Sequence, residues 1–170
     1  MYSSSRKIKQ DKTPEKALEV AQWLCSKMER TTQDIRRSLY RWGVRDNAEQ
    51  NKIIDSLVRD KFIDHERYAS SYVRDKLSAG RWGVSKIVFT LKQKEIEDNI
   101  IAQATQDNVD KNEMIEKLAI SIKKWFIVEQ PKAKNSFDLR QRIFRRAASR
   151  GFEIDDINSI INKIIHDEDQ

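Results

Sequence analysis

The sequence of 170 residues is poor in the residues that interrupt helices or cross-link loops. It contains four glycines, two prolines (Pro14 and Pro131) and one cysteine, Cys25. A single cysteine excludes an internal disulfide, and no Cys/His cluster reaches the four ligands of a structural zinc site. Period-two alternation of apolar residues is also missing. The sequence therefore predicts an all-α protein with no metal and no cofactor.

Long apolar runs are missing as well. No stretch approaches the length that crosses a bilayer, and residues 1–12 lack the apolar core of a signal peptide. We therefore expect a cytoplasmic protein with no membrane association. The two histidines, His65 and His166, have no nucleophile or ligand set beside them. Because no phosphate-binding glycine loop and no pair of carboxylates stands out, we predict that the protein is not an enzyme.

A short phrase that ends a helix occurs three times, with apolar residues spaced by four and then five positions. The copies are Ile35, Leu39 and Val44; Ile87, Leu91 and Ile96; and Ile143, Ala147 and Phe152. Gly43 and Gly151 precede the last residue of the first and third copies, where glycine supplies the left-handed backbone that closes a helix. Glu95 stands there in the second copy, so we expect that helix to close differently. An internal repeat of this kind indicates tandem units.

Cap residues and helical periodicity predict nine helices, three in each unit. Their expected ranges are 14–28, 32–42, 47–60, 65–78, 84–94, 98–106, 111–127, 137–149 and 155–166. The expected architecture is an elongated, curved array of three tandem three-helix repeats. It divides into a disordered segment at 1–13, repeats at 14–63 and 64–109, and a third repeat at 110–170 with an acidic C-terminal tail.

Charge is segregated along the chain although the formal net charge is only +6. Residues 67–94 and 132–150 are basic, and residues 95–116 between them carry seven acids and one base. Blocks of like charge on successive helices create a stronger local field than the net charge suggests. We expect a basic stripe for a partner or nucleic acid that consists of Arg36, Arg37, Arg41, Arg67, Arg74, Lys76, Arg81, Lys86, Lys92, Lys94, Arg140, Arg142, Arg145, Arg146 and Arg150.

The middle of the chain resembles the central signature of the RecX regulatory proteins. The matching residues run from Phe62 to Ala69 (FIDHERYA), then YVRDK from Tyr72, GRWG from Gly80, and Lys86-Ile87 leading to Leu91. The family's usual phrase has two acids before Glu-Arg, and His65 replaces the second of them. Near the C-terminus, Ser149-Arg150-Gly151-Phe152 followed by Asp155 and Ile157 is similar to the family's last element. The resemblance covers roughly residues 16–165.

This resemblance implies a bacterial protein that binds the filament of RecA on single-stranded DNA and regulates RecA negatively. RecX proteins typically inhibit ATP hydrolysis and strand exchange by blocking filament growth or promoting disassembly. It places the chain in the control of homologous recombination, DNA repair and the SOS response. We expect a monomer that lies in the filament groove and makes weak direct contact with DNA.

Two other functions compete with this interpretation. A helix-turn-helix or sequence-independent DNA-binding protein would act without RecA and could place the arginine-rich helix at 137–149 in a major groove. A helical scaffold for another acidic protein is the second competitor. Two roles are open to Trp42 and Trp82: packing between helices, or stacking on the bases of a nucleic acid. Packing is the simpler role for them and for Tyr68 and Tyr72, and Asp64 is expected to cap a helix.

Overall fold

The computed structural model describes residues 11–168, and every regular element in that range is helical. Nine α-helices and one 3₁₀ turn follow one another: α1 Pro14–Lys27, α2 Thr32–Arg41, α3 Asn47–Arg59, α4 His65–Ser78, α5 Val84–Gln93, α6 Asp98–Asn108, α7 Lys111–Glu129, the 3₁₀ turn Gln130–Lys132, α8 Ser136–Ala148 and α9 Ile154–Glu168. Each predicted helix is present, and its ends differ from the expected ones by at most two residues. The all-α prediction is confirmed.

The ends of the helices follow from their caps. The Thr31 hydroxyl accepts from the Asp34 amide at 3.1 Å, and the Asp34 carboxylate accepts from the Thr31 amide at 3.4 Å, which completes a capping box. The predicted cap at Asp64 is confirmed, because its carboxylate accepts from the Arg67 amide at 3.0 Å. That hydrogen bond to the ionised form is the main reason why the pKa of Asp64 lies below its ordinary value.

The described chain divides into two compact units, and the boundary lies inside α4 between Tyr68 and Ala69. In unit 1, α3 packs against both α1 and α2. The core of unit 1 contains Ala17, Ala21, Ile35, Leu39, Val44, Ile53, Ile54, Leu57 and Ile63, with Trp42 packed against it. Cys25 also packs there, and partial burial raises the pKa of its thiol to about 11. Of the predicted disordered segment, residues 1–10 lie outside the described range, while the Lys12 amide donates to the Trp42 carbonyl at 2.7 Å.

In unit 2, α7, α8 and α9 pack against one another and α5 packs against α6. The largest core cluster contains Met114, Leu118, Ile122, Phe126, Leu139, Ile143, Ala147, Phe152, Ile157, Ile160, Ile161 and Ile164. The α7 residue Lys117 reaches across to the end of α4, where its Nζ donates to the Leu77 carbonyl at 3.4 Å. The same Nζ pairs with Glu113 at 2.6 Å. The Gly80 amide also donates to the Leu77 carbonyl at 2.9 Å, so the side chain from α7 adds a second hydrogen bond to the end of α4.

All three copies of the repeated phrase are buried, and all three helices end with a left-handed residue. The backbone φ is +94° at Gly43, +60° at Glu95 and +79° at Gly151. The expectation that the second copy would close differently is wrong, because Glu95 adopts the same conformation despite its side chain. The Val44 amide then donates to the Leu39 carbonyl at 3.1 Å, and the Ile96 amide donates to that of Leu91 at 3.2 Å. These bonds direct the last apolar residue of the phrase into the core.

Within 11–168, no helix has both the length and the apolar content that a bilayer crossing needs. In the same range, no three His, Cys, Asp or Glu side chains are grouped in a way that could hold a metal ion.

Candidate interaction surface

Trp82, which precedes α5, is surrounded by cations. The Nζ atoms of Lys86 and Lys76 lie 4.8 Å and 5.6 Å from the centroid of its ring. The Tyr72 ring meets Trp82 edge to face, with centroids 6.2 Å apart. Lys76 also lies 5.0 Å from the Tyr72 centroid, so both helices that flank the turn contribute. An ammonium over an aromatic face is held by the quadrupole of the ring, which fixes the position of these lysines.

A second tryptophan with two cations lies on α7. The guanidinium carbons of Arg150 and Arg146 are 4.8 Å and 5.1 Å from the centroid of the Trp125 ring. Arg150 donates from Nη1 to the Arg146 carbonyl at 3.0 Å, which ties its guanidinium back to α8. Partial burial and the positive charge of Arg146 together lower the pKa of Arg150. The two like charges are therefore crowded, and a bound anion would relieve their repulsion.

Backbone contacts join the two aromatic groups. The Gly83 amide donates to the Arg150 carbonyl at 2.8 Å, and Lys86 Nζ donates to the Ser149 carbonyl at 3.3 Å. A Cβ atom on Gly83 would overlap the carbonyl of Gly151, so only glycine at position 83 lets the two backbone segments come this close. We call the resulting set the cation–aromatic row, which consists of Lys76, Trp82, Lys86, Arg150, Trp125 and Arg146.

Acids of the same unit neutralise part of the basic block. Glu129, whose side chain is only 15% exposed, accepts from Arg146 at 3.1 Å and lies 3.7 Å from Arg142. Arg142 also pairs with Asp138 at 3.0 Å, and that ion pair adds to the Lys134 amide hydrogen bond in lowering the pKa of Asp138. Ion pairs also hold Lys76 to Asp75 and Lys92 to Asp98. Within residues 11–168, no acid pairs with Lys86 or Arg150, which makes these two the main unneutralised cations of the row.

The remaining predicted residues of unit 2 lie outside the row. Arg74 donates to Asn108 at 3.2 Å and Arg140 donates to Asn162 at 2.6 Å, so neutral groups orient both guanidiniums. Lys94 also has an interaction partner. The exposed cations among the predicted residues of unit 2 are Arg74, Arg81, Lys92 and Arg145.

Unit 1 holds the other four predicted residues in two places. Arg67 forms ion pairs with Glu29 and Asp64 at the start of α4. Arg36, Arg37 and Arg41 line a groove beside α2 and the start of α3. We call it the arginine groove, and its principal lining residues are Arg30, Arg36, Arg37, Arg41, Arg45 and Tyr40.

Sequence reasoning missed Trp125 and Glu129, which organise the arginines of α8. Both lie on α7, more than a dozen residues from the arginines that they contact, and periodicity alone gives no sign of that contact. Trp82 packs edge to face on Tyr72 and its ring also faces two lysines. Stacking of a base on Trp82 stays a prediction. Tyr68 is buried, as expected for a core residue.

Part of the cation–aromatic row lies in a segment that is similar to a known protein family. The family model described as "RecX, second three-helix domain" matches residues 64–104, which carry Lys76, Trp82 and Lys86. The resemblance to RecX is confirmed. Regulatory protein RecX of Clostridium perfringens (strain 13 / Type A) is 28% identical over 142 residues, which cover 82% of this chain and 64% of that protein. RecX of Leuconostoc mesenteroides is 27% identical over 164 residues, which cover 95% of this chain and 59% of the relative.

Solved structures of RecX proteins share the fold. The crystal structure of RecX from Lactobacillus salivarius matches with a TM-score of 0.70 and 25% identity, over 88% of this chain and 95% of that one. A second crystal structure of a regulatory protein RecX matches with a TM-score of 0.75 over 88% and 71% of the two chains, at 22% identity. This chain spans about three fifths of the length of the first curated RecX relatives that it matches. Those relatives are described as regulatory proteins.

Proposed function

We propose that the protein binds the RecA filament on single-stranded DNA and regulates RecA negatively. Binding would lower ATP hydrolysis, strand exchange and filament extension, and so contribute to the control of recombination, DNA repair and the SOS response. The cation–aromatic row carries the proposal, because it combines unneutralised cations with fixed aromatic faces. The similarity to regulatory RecX proteins supports RecA as the partner. On this proposal the protein acts as a monomer in the bacterial cytoplasm, where RecA filaments form.

The row suits a periodic, acidic partner. Its cations come from α4, α5 and α8, and the Gly83–Arg150 hydrogen bond fixes the spacing between the last two helices. A filament repeats its surface, so several weak contacts from one chain gain effective concentration, which raises avidity by about 10²–10⁴ over one contact. Contacts to adjacent RecA subunits would favour one interface geometry over the other geometries that ATP turnover requires.

Direct binding of α8 in a DNA major groove, the main competing function, fits the contacts poorly. Arg142 and Arg146 are held by Glu129, and Arg140 is held by Asn162. Releasing them to read bases would leave the mostly buried Glu129 carboxylate without its partners. Arg145 is the exposed cation that remains on this helix, and one guanidinium is too little for sequence readout.

RecA ATPase activity on single-stranded DNA, with RecA from the same species, tests the proposal. Substoichiometric wild-type protein should lower the rate. The double substitution Lys86→Gln and Arg150→Gln should raise the inhibitory concentration by about tenfold or more, because it removes the two unneutralised cations of the row. Lys123→Gln with Lys124→Gln is the matched control, since it removes the same charge from exposed positions of α7. Circular dichroism should show the same helix content in all three proteins.

The outcomes separate the candidate functions. An unchanged ATPase rate at equimolar wild-type protein would contradict the proposal. Tight, sequence-selective binding to duplex DNA without RecA would favour the DNA-binding alternative. If row cations contact the DNA strand in the filament, affinity should fall with salt at a log–log slope of about −0.7 per phosphate contact.

A further inference from the structure

The arginine groove of unit 1 has the size and charge of a ligand site. It has a volume of about 770 Å³, within the range of about 300–1,000 Å³ that is typical of small-molecule sites. Five arginines line it, against one acid, Asp34. The arginine groove belongs to unit 1 and the cation–aromatic row to unit 2, and a ligand in the groove does not depend on the proposed action on RecA.

Asp34 carries one negative charge against the five positive charges of the arginines that line the groove. Its carboxylate accepts from the Thr31 amide in the capping box, so it faces the start of α2. The Arg41 guanidinium contacts neutral groups, because it donates to the Ser38 hydroxyl at 3.2 Å and to the Arg37 carbonyl at 3.3 Å. The Nε of Arg30 is buried and has no hydrogen-bond partner among the described residues. A buried donor without a partner is costly.

One of the arginines is already oriented. Gln50 is buried, and its Nε2 donates to the Val44 carbonyl at 2.7 Å. This bond turns the Gln50 Oε1 toward Arg36, which donates from Nη1 at 3.4 Å and from Nη2 to Asn51 at 3.0 Å. A guanidinium held in this way loses less side-chain entropy when it binds an anion, which favours affinity.

An aromatic ring completes the groove. Tyr40 lies among the arginines and is 62% exposed, so its ring face is open to a ligand. Arginine forks match the oxygens of phosphate, and an exposed aromatic ring stacks on a base. We propose that the arginine groove binds a nucleotide unit, with its phosphate groups on the arginines and its base on Tyr40. The unit would come either from a free nucleoside triphosphate or from a single-stranded nucleic acid.

Binding to the full chain without RecA tests the site. The probes are a fluorescein-labelled hexathymidylate, followed by anisotropy, and unlabelled ATP as competitor. Tyr40→Ala should weaken binding by about five- to a hundredfold, the range expected for loss of one stacked base, and Tyr40→Phe should restore it. Arg37→Gln should weaken binding by about tenfold. Trp23→Ala removes an equally exposed aromatic residue from α1 and should leave affinity unchanged.

Each result gives a definite answer. Displacement of the oligonucleotide by ATP would support the site and identify free nucleotide as a source, whereas binding of the oligonucleotide without displacement would support a strand source. Absence of binding by both probes would overturn the proposal, as would equal affinity in the Tyr40→Ala variant. Displacement by polyglutamate as effective as by the oligonucleotide would also overturn it, because an acidic peptide has no base. RecA is absent from the assay, so failure here would leave the proposed action on the filament to its own test.

Discussion

The backbone amide of Gly83 donates a 2.8 Å hydrogen bond to the carbonyl oxygen of Arg150 and so joins the start of α5 to the end of α8. The φ of Gly83 is −87°, a value open to any residue, so glycine is needed here for space alone. Its missing side chain leaves room for the backbone at Gly151. The contact fixes the distance between the two tryptophan groups of the cation–aromatic row.

Gly83→Ala should therefore destabilise the protein by about 1–3 kcal/mol, the usual cost of forcing extra atoms into a packed contact. Gly80→Ala is a matched comparison. At Gly80 the φ is +60°, and a new Cβ would lie 3.3 Å from the Cβ of Lys117. Its cost should be about 1 kcal/mol and come from the backbone conformation. Urea unfolding of both variants measures the difference, and equal losses would show that the close approach at Gly83 is relaxed in solution.

Arg145 and Arg146 are neighbours with different roles. Arg146→Glu should lower the free energy of unfolding by about 1.5–3 kcal/mol, because it removes a charged hydrogen bond to Glu129 and adds a second carboxylate beside it. Arg145→Glu should change stability by less than about 0.5 kcal/mol, since this side chain is exposed. It should weaken filament binding while helix content stays constant. Thermal unfolding and a filament co-sedimentation assay together test the distinction; a stable Arg146→Glu variant would contradict it.

Glu95 holds a left-handed conformation that costs a residue with a side chain about 1–2 kcal/mol. Glu95→Gly should be neutral or stabilising by up to about 1 kcal/mol, because the relief of strain is partly offset by the greater freedom of glycine in the unfolded chain. Glu95→Val should destabilise the protein, since a β-branched residue fits this conformation poorly. The free energies of unfolding of the two variants, measured by chemical denaturation, should differ by at least about 1 kcal/mol, with Glu95→Gly the more stable.

The ionisation of Asp64 makes the stability of the protein depend on pH in the acidic range. Its pKa is lowered in the folded protein, chiefly by the hydrogen bond from the Arg67 amide. A lowered folded-state pKa means that this contribution is fully present above the unfolded value, near 3.8, and is lost as the pH falls through the folded value. Asp64→Asn keeps an acceptor for the amide and has no carboxyl group to titrate. The stability of the variant should fall less steeply than that of the wild type below pH 4, as measured by unfolding at a series of pH values.

Local chemistry made the helices predictable. Thr13, Thr31, Asp46 and Asp110 all accept from amides in the first turn, as cap residues do, so their helices begin where expected. The end of α5 was not predictable in this way. Glu95 takes a positive φ there because the packing of Ile96 into the core outweighs the usual preference of a residue with a side chain for negative φ. The sequence could indicate that glycine closes α8. It could not indicate that Gly83 leaves room for the Gly151 backbone, or that Gly151 leaves room for Lys86, since these contacts join segments far apart in the chain.

The interaction surface was predictable in composition and not in arrangement. Segregated charge identified the basic helices, and the family resemblance identified a plausible partner. Which cations remain unneutralised depends on Glu129 and Asp138, whose partners are set by packing of α7 against α8. The arginine groove depends in the same way on how α2 and α3 meet.

The hydrogen bond from Lys117 to the Leu77 carbonyl bears on how such a chain gains or loses repeats. The carbonyl at the end of α4 accepts from the Gly80 amide of its own segment at 2.9 Å and also from the Lys117 side chain of the next segment at 3.4 Å. A gene rearrangement that duplicated or deleted one segment alone would place the end of α4 beside a segment that lacks Lys117, and this hydrogen bond would be lost. A change in the number of segments should therefore copy or remove both segments that share such a contact, or be accompanied by substitutions at the residues that form it.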